Sequence, residues 1–228
     1  MNRGFLEALL GSISVSGYEE QIQQVTEHEM APYADEIRRD EMDDLLCVLN
    51  PESPVRIMLS AHTDEIGLMV SNITDEGRLQ VIARGGIVPG TYPGQQVLIQ
   101  TVGGVISGVV EADRKLFKKE DLCPADFLVD IGAKDKEDAC RLVSPGDPLV
   151  LDTHIRQLAN GRLSARALDD RLGEYVIMEA FKRAREMGCK AGVYAASTVG
   201  EETTKNGAYW TSSRISPNLA IVVDVTYT

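Results

Sequence analysis

The stretch VRIMLSAHTDEIG, residues 55–67, runs from a near-continuous apolar segment into a histidine and two acidic side chains. Residues 55–61 read as a strand buried on both faces, as in a sheet covered by helices. His62 and Asp64 follow at its end, two apart and so directed to the same side. Open α/β sheets hold ligands at such strand ends. Upstream, residues 4–12 and 18–31 read as helices packed on that sheet. The second opens with Ser16 and Glu19 in capping-box spacing and turns Ile22 and Val25 toward a core. DLLCVL (44–49) reads as a neighbouring strand.

Downstream the texture changes. From about 66 to 152 the chain carries the short β segments GLMVSNI, RLQVIAR, QQVLIQT, GVISGVV, FLVDIG and PLVLD, with KDKEDACRLV as the one helical interruption. That spacing suggests a small barrel or sandwich. After about 160 the α/β pattern returns: ALDDRLGEYVIMEAFKRAREM (167–187) is a long amphipathic helix, AGVYAAST (191–198) a buried strand, and a short helix follows GEETTKNGA. NLAIVVDV (218–225) reads as another buried strand. The fold class is therefore α/β, with a catalytic domain of residues 1–66 and 158–228 interrupted by a β-barrel-like insertion of residues 67–157.

Composition excludes several functions. The 228 residues, 43% hydrophobic, are enough to bury a sizeable core. With 23 Lys plus Arg against 35 Asp plus Glu, the net charge is −12. No basic patch suits a phosphate backbone. The N-terminal residues lack the apolar run of a signal peptide, and no stretch is long and apolar enough to suggest a membrane span. The chain reads as soluble and cytoplasmic. Cys47, Cys123, Cys140 and Cys189 show no CxxC spacing and read as reduced structural thiols.

The remaining ionisable clusters each have a plain alternative. Asp169 and Asp170 can cap the helix they precede, which accounts for one of them; a carboxylate bridging two cations accounts for the other, and Asp169 is the candidate. Asp170 is then a partner of Arg171 or a support for the turn. Glu201 and Glu202 can be a solvated pair, or can divide the work of holding a cation and moving a proton. Asp224 ends an apolar strand, where a carboxylate is costly unless paired or metal-bound. His62 alone can be an ordinary strand-end histidine, with Asp64 solvated; His28 and His154 read as surface residues. The joint occurrence of these clusters at strand ends is the stronger signal.

AHTDEIGLMV, ALDDRLG, VGEETTKNGA and VVDVT, in this order and with a β-rich segment after the first, closely resemble the TET-type (tetrahedral) aminopeptidases. That family includes glutamyl aminopeptidases and proteins labelled cellulase M or endoglucanase. The resemblance implies a three-layer α/β/α di-metal peptidase domain. His62, Asp169 and Asp224 then resemble the ligands of one metal ion, with Asp169 bridging to a second that also uses Glu202. It further implies Glu201 as general base, Asp64 as the carboxylate orienting His62, a cis Asp169–Asp170 peptide, two zinc or cobalt ions, and cleavage of a peptide's first bond. The insertion is expected to form dimers that assemble into a tetrahedral dodecamer.

The sequence departs from that family in one respect. The family's second metal position takes a further histidine from a C-terminal segment, whereas this sequence ends four residues after Asp224. The expectation is a C-terminally truncated chain with one full ligand set, one deficient set and impaired hydrolysis. The competing functions are a non-catalytic oligomer-forming subunit with a vestigial site, and a glycosidase using two carboxylates, which needs no histidine or metal.

Overall fold

The computed structural model describes residues 3–226, which divide into one unit of the residues up to Glu65 together with those from His154 onward and a second of Ile66–Thr153. The first unit begins with helices α1 (Arg3–Gly11) and α2 (Glu20–Met30), followed by β1 (Glu36–Arg39), β2 (Leu45–Leu49) and β3 (Arg56–His62). The second unit contributes β4 (Gly67–Ile73), β5 (Leu79–Arg84), β6 (Gln96–Thr101), β7 (Gly104–Val110), β8 (Leu128–Asp130), α3 (Lys136–Cys140) and β9 (Pro148–Leu151). The chain then returns through a small ladder, β10 (Arg156–Gln157) with β11 (Leu163–Ser164), to α4 (Leu168–Glu186), β12 (Gly192–Thr198), α5 (Asn206–Ile215) and β13 (Leu219–Val222). None of these helices is long and apolar enough to cross a membrane.

The sheet of the first unit runs β1-β2-β12-β3-β13. β12 and β13 both lie parallel to β3, in registers that pair Thr198 with His62 and Val222 with Ser60. Between two neighbours, β3 is buried over its last five residues, and β12 is buried throughout. One core joins Phe5, Leu9, Ile22 and Met30 to Met178 and Phe181 and to the sheet residues Cys47, Leu59 and Ala195. Helix α4 supplies its apolar stripe at the spacing expected of an amphipathic helix.

Two expectations need correction, and one strand was unforeseen. β13 was read as buried, yet all four of its residues are exposed, Val222 by 71%. It lies at the sheet edge among the described residues, and an apolar run alone does not distinguish an edge strand from a central one. The capping box of α2 does not form. Ser16 Oγ pairs with Thr203 Oγ1 at 2.7 Å, and Glu19 Oε1 accepts the Gly17 N–H at 2.8 Å. Helix α2 is instead capped at Glu19, while Ser16 reaches a long-range partner and the Glu19 side chain turns back to an amide two residues before it. Finally, β1 was not anticipated, because EIRR carries too little apolar character to stand out from a loop.

In the second unit the six anticipated β segments close into a barrel of order β4-β5-β8-β7-β6-β9, with β9 returning to pair Leu149 against Leu68. Its interior is filled by Leu68, Leu79, Ile99, Phe127, Val129 and Leu149, all fully buried. A barrel of this size is a packed core and no channel. Gly108 sits where β7 passes this core: a Cβ there would meet Val129 Cγ1 at 2.9 Å and Asp130 O at 3.2 Å. Gly108→Ala is therefore expected to destabilise this unit by about 1–3 kcal/mol through overpacking. Urea unfolding checks this; an unchanged midpoint would refute the close packing assigned to β7.

Candidate metal centre

Because β3, β12 and β13 run parallel, their C-terminal ends emerge together. His62 is the last residue of β3, Glu201 and Glu202 lie in the turn after β12, and Asp224 lies two residues beyond β13. The first turn of α4 adds Asp169 and Asp170, joined by a cis peptide bond. His62 is buried, with Nε2 3.1 Å from Asp169 Oδ1. Its Nδ1 faces Asp64, 3.2 Å from the backbone oxygen and 3.3 Å from Oδ1. Asp64, fully buried, also accepts the Glu201 N–H at 3.0 Å and the Glu202 N–H at 3.1 Å.

The ligand-capable atoms form two sets, each within 4.8 Å: His62 with Asp169 and Glu202, and His62 with Asp170 and Asp224. His62 is common to both sets, and Asp170 rather than Asp169 stands beside Asp224. The family resemblance groups them differently, with Asp169 in the shared position. Asp224 is exposed and accepts its own neighbour's N–H from Val225 at 2.7 Å, so the burial argument made for it does not hold. Glu201 is half-buried, with its carboxylate 3.0 Å from Lys205 Nζ. His28 and His154 are both exposed.

Asp170 does not pair with Arg171. Its Oδ1 accepts the Gly173 N–H at 3.1 Å, and a Cβ at residue 173 would overlap its carboxylate. Arg171 is fully buried and donates to Leu9 O, Ser12 O, Ser14 Oγ and, at 2.7 Å, Glu65 Oε1. Arg166 approaches the same Glu65 carboxylate. Glu174, also fully buried, accepts hydroxyls from Thr26 at 2.6 Å, Thr63 at 2.7 Å and Ser197 at 2.9 Å. These buried ionic residues were missed in the sequence. Their signal was present, since Arg171 and Glu174 interrupt the apolar stripe of α4 that continues through Met178 and Phe181.

Crowded carboxylates dominate the electrostatics. Burial, then the charge of Asp169, pushes Glu202 up to about 7. Burial, helped by Asp224 and Asp169, likewise pushes Asp170 to about 7 against the opposing charge of His62. Burial by itself lowers the His62 pKa, but the hydrogen bond and charge of Asp64, with Asp170 and Asp169, outweigh it and raise His62 to about 9. Burial opposes ionisation of Asp64, yet His62 and the two backbone N–H groups hold its carboxyl below the usual range. Asp170 Oδ2 is moreover buried without a hydrogen-bond partner. An imidazole nitrogen, converging carboxylates and an orphaned carboxylate oxygen suit a divalent cation.

These shifts predict the pH dependence of stability in the presence of a chelator. Glu19 and Asp44, raised by burial to about 7 and about 6, join Asp170 and Glu202 in binding protons more tightly folded than unfolded. Their stabilising contribution is complete below about pH 4, the unfolded carboxylate range, and is lost as pH rises through about 7. His62 extends the decline toward pH 9. Groups held low, such as Asp35 and Asp64, act in more acidic solution. Urea midpoints in chelator should fall from pH 5 to pH 8, and excess zinc should flatten or reverse the trend, because cations bind the deprotonated donors. A midpoint rising across this window in chelator would contradict the assignment.

Residues 45–228 match the family model for M42 glutamyl aminopeptidase. The chain belongs to the M42 family. Among its relatives, the lysyl aminopeptidase of Pyrococcus furiosus is 30% identical over 97% of this chain and 66% of its own length. The solved TET aminopeptidase of a marine sediment Thaumarchaeota archaeon is 31% identical, with a TM-score of 0.92 over 99% of this chain and 66% of that one. The Pyrococcus horikoshii TET1 peptidase, described as assembling into a tetrahedron or a large octahedral shell, is 34% identical with a TM-score of 0.87 over 97% of this chain and 68% of that one. The chain thus spans about two thirds of the length of the M42 relatives it matches. The two-unit fold, an α/β sheet unit plus a six-stranded barrel, is that of the family.

Proposed function

We propose that this chain is the site-bearing part of a metal-dependent aminopeptidase that removes the N-terminal residue of peptides through a dinuclear centre. The observation that carries the reading is the convergence of His62 with Asp169, Asp170, Glu202 and Asp224 around a buried Asp64. In this reading His62, Asp169 and Asp224 would hold one cation, and Asp169 with Glu202 would hold a second. Zinc or cobalt held there supplies Lewis acidity to the scissile carbonyl and to the attacking water. Glu201 accepts the water's proton and returns it to the departing amine. Asp64 fixes the tautomer and tilt of His62, as carboxylates behind a ligating imidazole do. The surrounding acidic groups attract the substrate's α-ammonium group, which favours peptides with a free amino terminus.

The ligand atoms that converge are those of His62, Asp169 and Glu202 and of His62, Asp170 and Asp224, and the reading differs from them in giving Asp169 rather than Asp170 to the cation shared with Asp224. The barrel unit is assigned to dimerisation and the assembly to a dodecamer, as the relatives described as dodecamers or tetrahedra suggest. The reading of the chain as a non-catalytic subunit has no comparable observation in its favour.

The decisive assay offers paired peptides, one with a free and one with an acetylated amino terminus, at saturating zinc or cobalt. Release of the first residue from the free peptide only, lost in chelator and restored by cation, is the expected result. Equal cleavage of both peptides, or cleavage indifferent to chelator, would defeat the exopeptidase reading.

A further inference from the structure

We propose that Glu19 and Asp44 are positioning residues that, with Asp64, lock the 199–202 turn in the shape that presents Glu201 and Glu202. The inference rests on the metal-dependent peptidase reading above and deepens it.

Three backbone N–H groups of this turn donate to carboxylates, and the fourth lies beside one. Val199 donates to Asp44 Oδ1 at 2.8 Å, Glu201 and Glu202 donate to the two oxygens of Asp64, and the Gly200 amide stabilises the nearby charge of Glu19. Asp44 and Asp64 are 0% exposed and Glu19 6%. The carboxylates come from three separate places: the residue before β2, the residue before α2 and the loop after β3. Each is itself anchored. Asp44 also accepts the Thr211 hydroxyl at 2.5 Å, Glu19 the Gly17 N–H at 2.8 Å, and Asp64 faces the His62 ring.

The turn needs this support. Gly200 has φ of +69°, and no regular hydrogen-bonded ladder continues past Thr198. Burying three carboxylates is a costly way to satisfy amides that water would otherwise serve. Charged acceptors give the stronger bonds, and they are spent here on the segment carrying two adjacent glutamates with different tasks. A close fit confirms the geometry at its far end, since a Cβ on Gly207 would overlap Asp44 Oδ1 and the Val199 carbonyl.

The test compares Glu19→Gln and Asp44→Asn with Phe181→Leu, a core change in α4 remote from the turn. Amide hydrogen exchange at residues 199–202, zinc affinity by calorimetry and the urea midpoint are measured for each in the 228-residue chain. Both cradle variants are expected to speed exchange of the Glu201 and Glu202 amides by about tenfold and to weaken zinc binding by about 10–100-fold, the usual cost of losing a partner behind the ligands. Phe181→Leu, at a similar loss of midpoint, should do neither. Unchanged exchange and affinity in the cradle variants, or equal changes in Phe181→Leu, would overturn the proposal. Should Asp44→Asn not fold, the less buried Glu19 carries the comparison. If the unmodified chain binds no zinc, the metallopeptidase reading fails by itself, while amide exchange still decides whether the cradle holds the turn.

Discussion

Glu201→Gln should lower kcat by about 10²–10⁴-fold while leaving zinc binding and the urea midpoint close to those of the unmodified chain. The size is that of a lost general base. The selectivity follows from position: Glu201 lies outside both sets of converging ligand atoms, is only half-buried, and its N–H rather than its side chain is tied to Asp64. Gln keeps the volume and polarity but cannot accept the proton. Glu202→Gln provides the contrast, because Glu202 belongs to the set with His62 and Asp169 and should lose cation affinity as well as rate. If Glu201→Gln and Glu202→Gln prove indistinguishable, with affinity and rate falling together in both, the division of labour between the adjacent glutamates is wrong.

Glu65→Ala is expected to destabilise the first unit by about 3–5 kcal/mol, a loss comparable to the whole stability of many domains. Glu65 is 2% exposed and is the anionic partner of both Arg171, fully buried, and Arg166. Removing the carboxylate leaves the Arg171 guanidinium with neutral acceptors at Leu9, Ser12 and Ser14 and only the charge of Glu174, acting through space, in place of a direct ion pair. The same residue joins chain segments through its backbone, donating to Ser14 O at 3.0 Å and accepting from Ser16 at 3.1 Å. Chemical unfolding is the measurement, with Arg171→Met in the Glu65→Ala background as the control. Apolar replacement of both partners should recover much of the loss, because the penalty lies in an unpaired buried charge. A single Glu65→Ala change costing less than about 1 kcal/mol would mean that the pair is effectively solvated.

Much of the architecture was legible in the local pattern. The apolar runs of β3 and β12, the amphipathic α4 and the six short β segments of the barrel all follow from periodicity and turn residues, which report on a segment's immediate surroundings. The edge position of β13 was not legible, because exposure depends on which strand lies next to it. Ser16 and Glu19 show the same limit from the other side. Their spacing satisfies a local motif, yet Ser16 bonds to Thr203 far along the chain, and Glu19 turns back to the Gly17 N–H.

The sequence by itself determined the residue types of the candidate metal centre, the order in which they occur, and the two-part organisation of the chain. Strand-end histidine and carboxylates are visible because they break apolar runs. Only the tertiary structure decided how they are grouped: that Asp170 stands by Asp224, that Arg171 answers Glu65, and that Glu19 and Asp44 close on the turn before Glu201. The physical reason is that hydrogen bonds and Coulomb forces act over a few ångströms in space, whereas a pattern read along the chain reaches only a few residues.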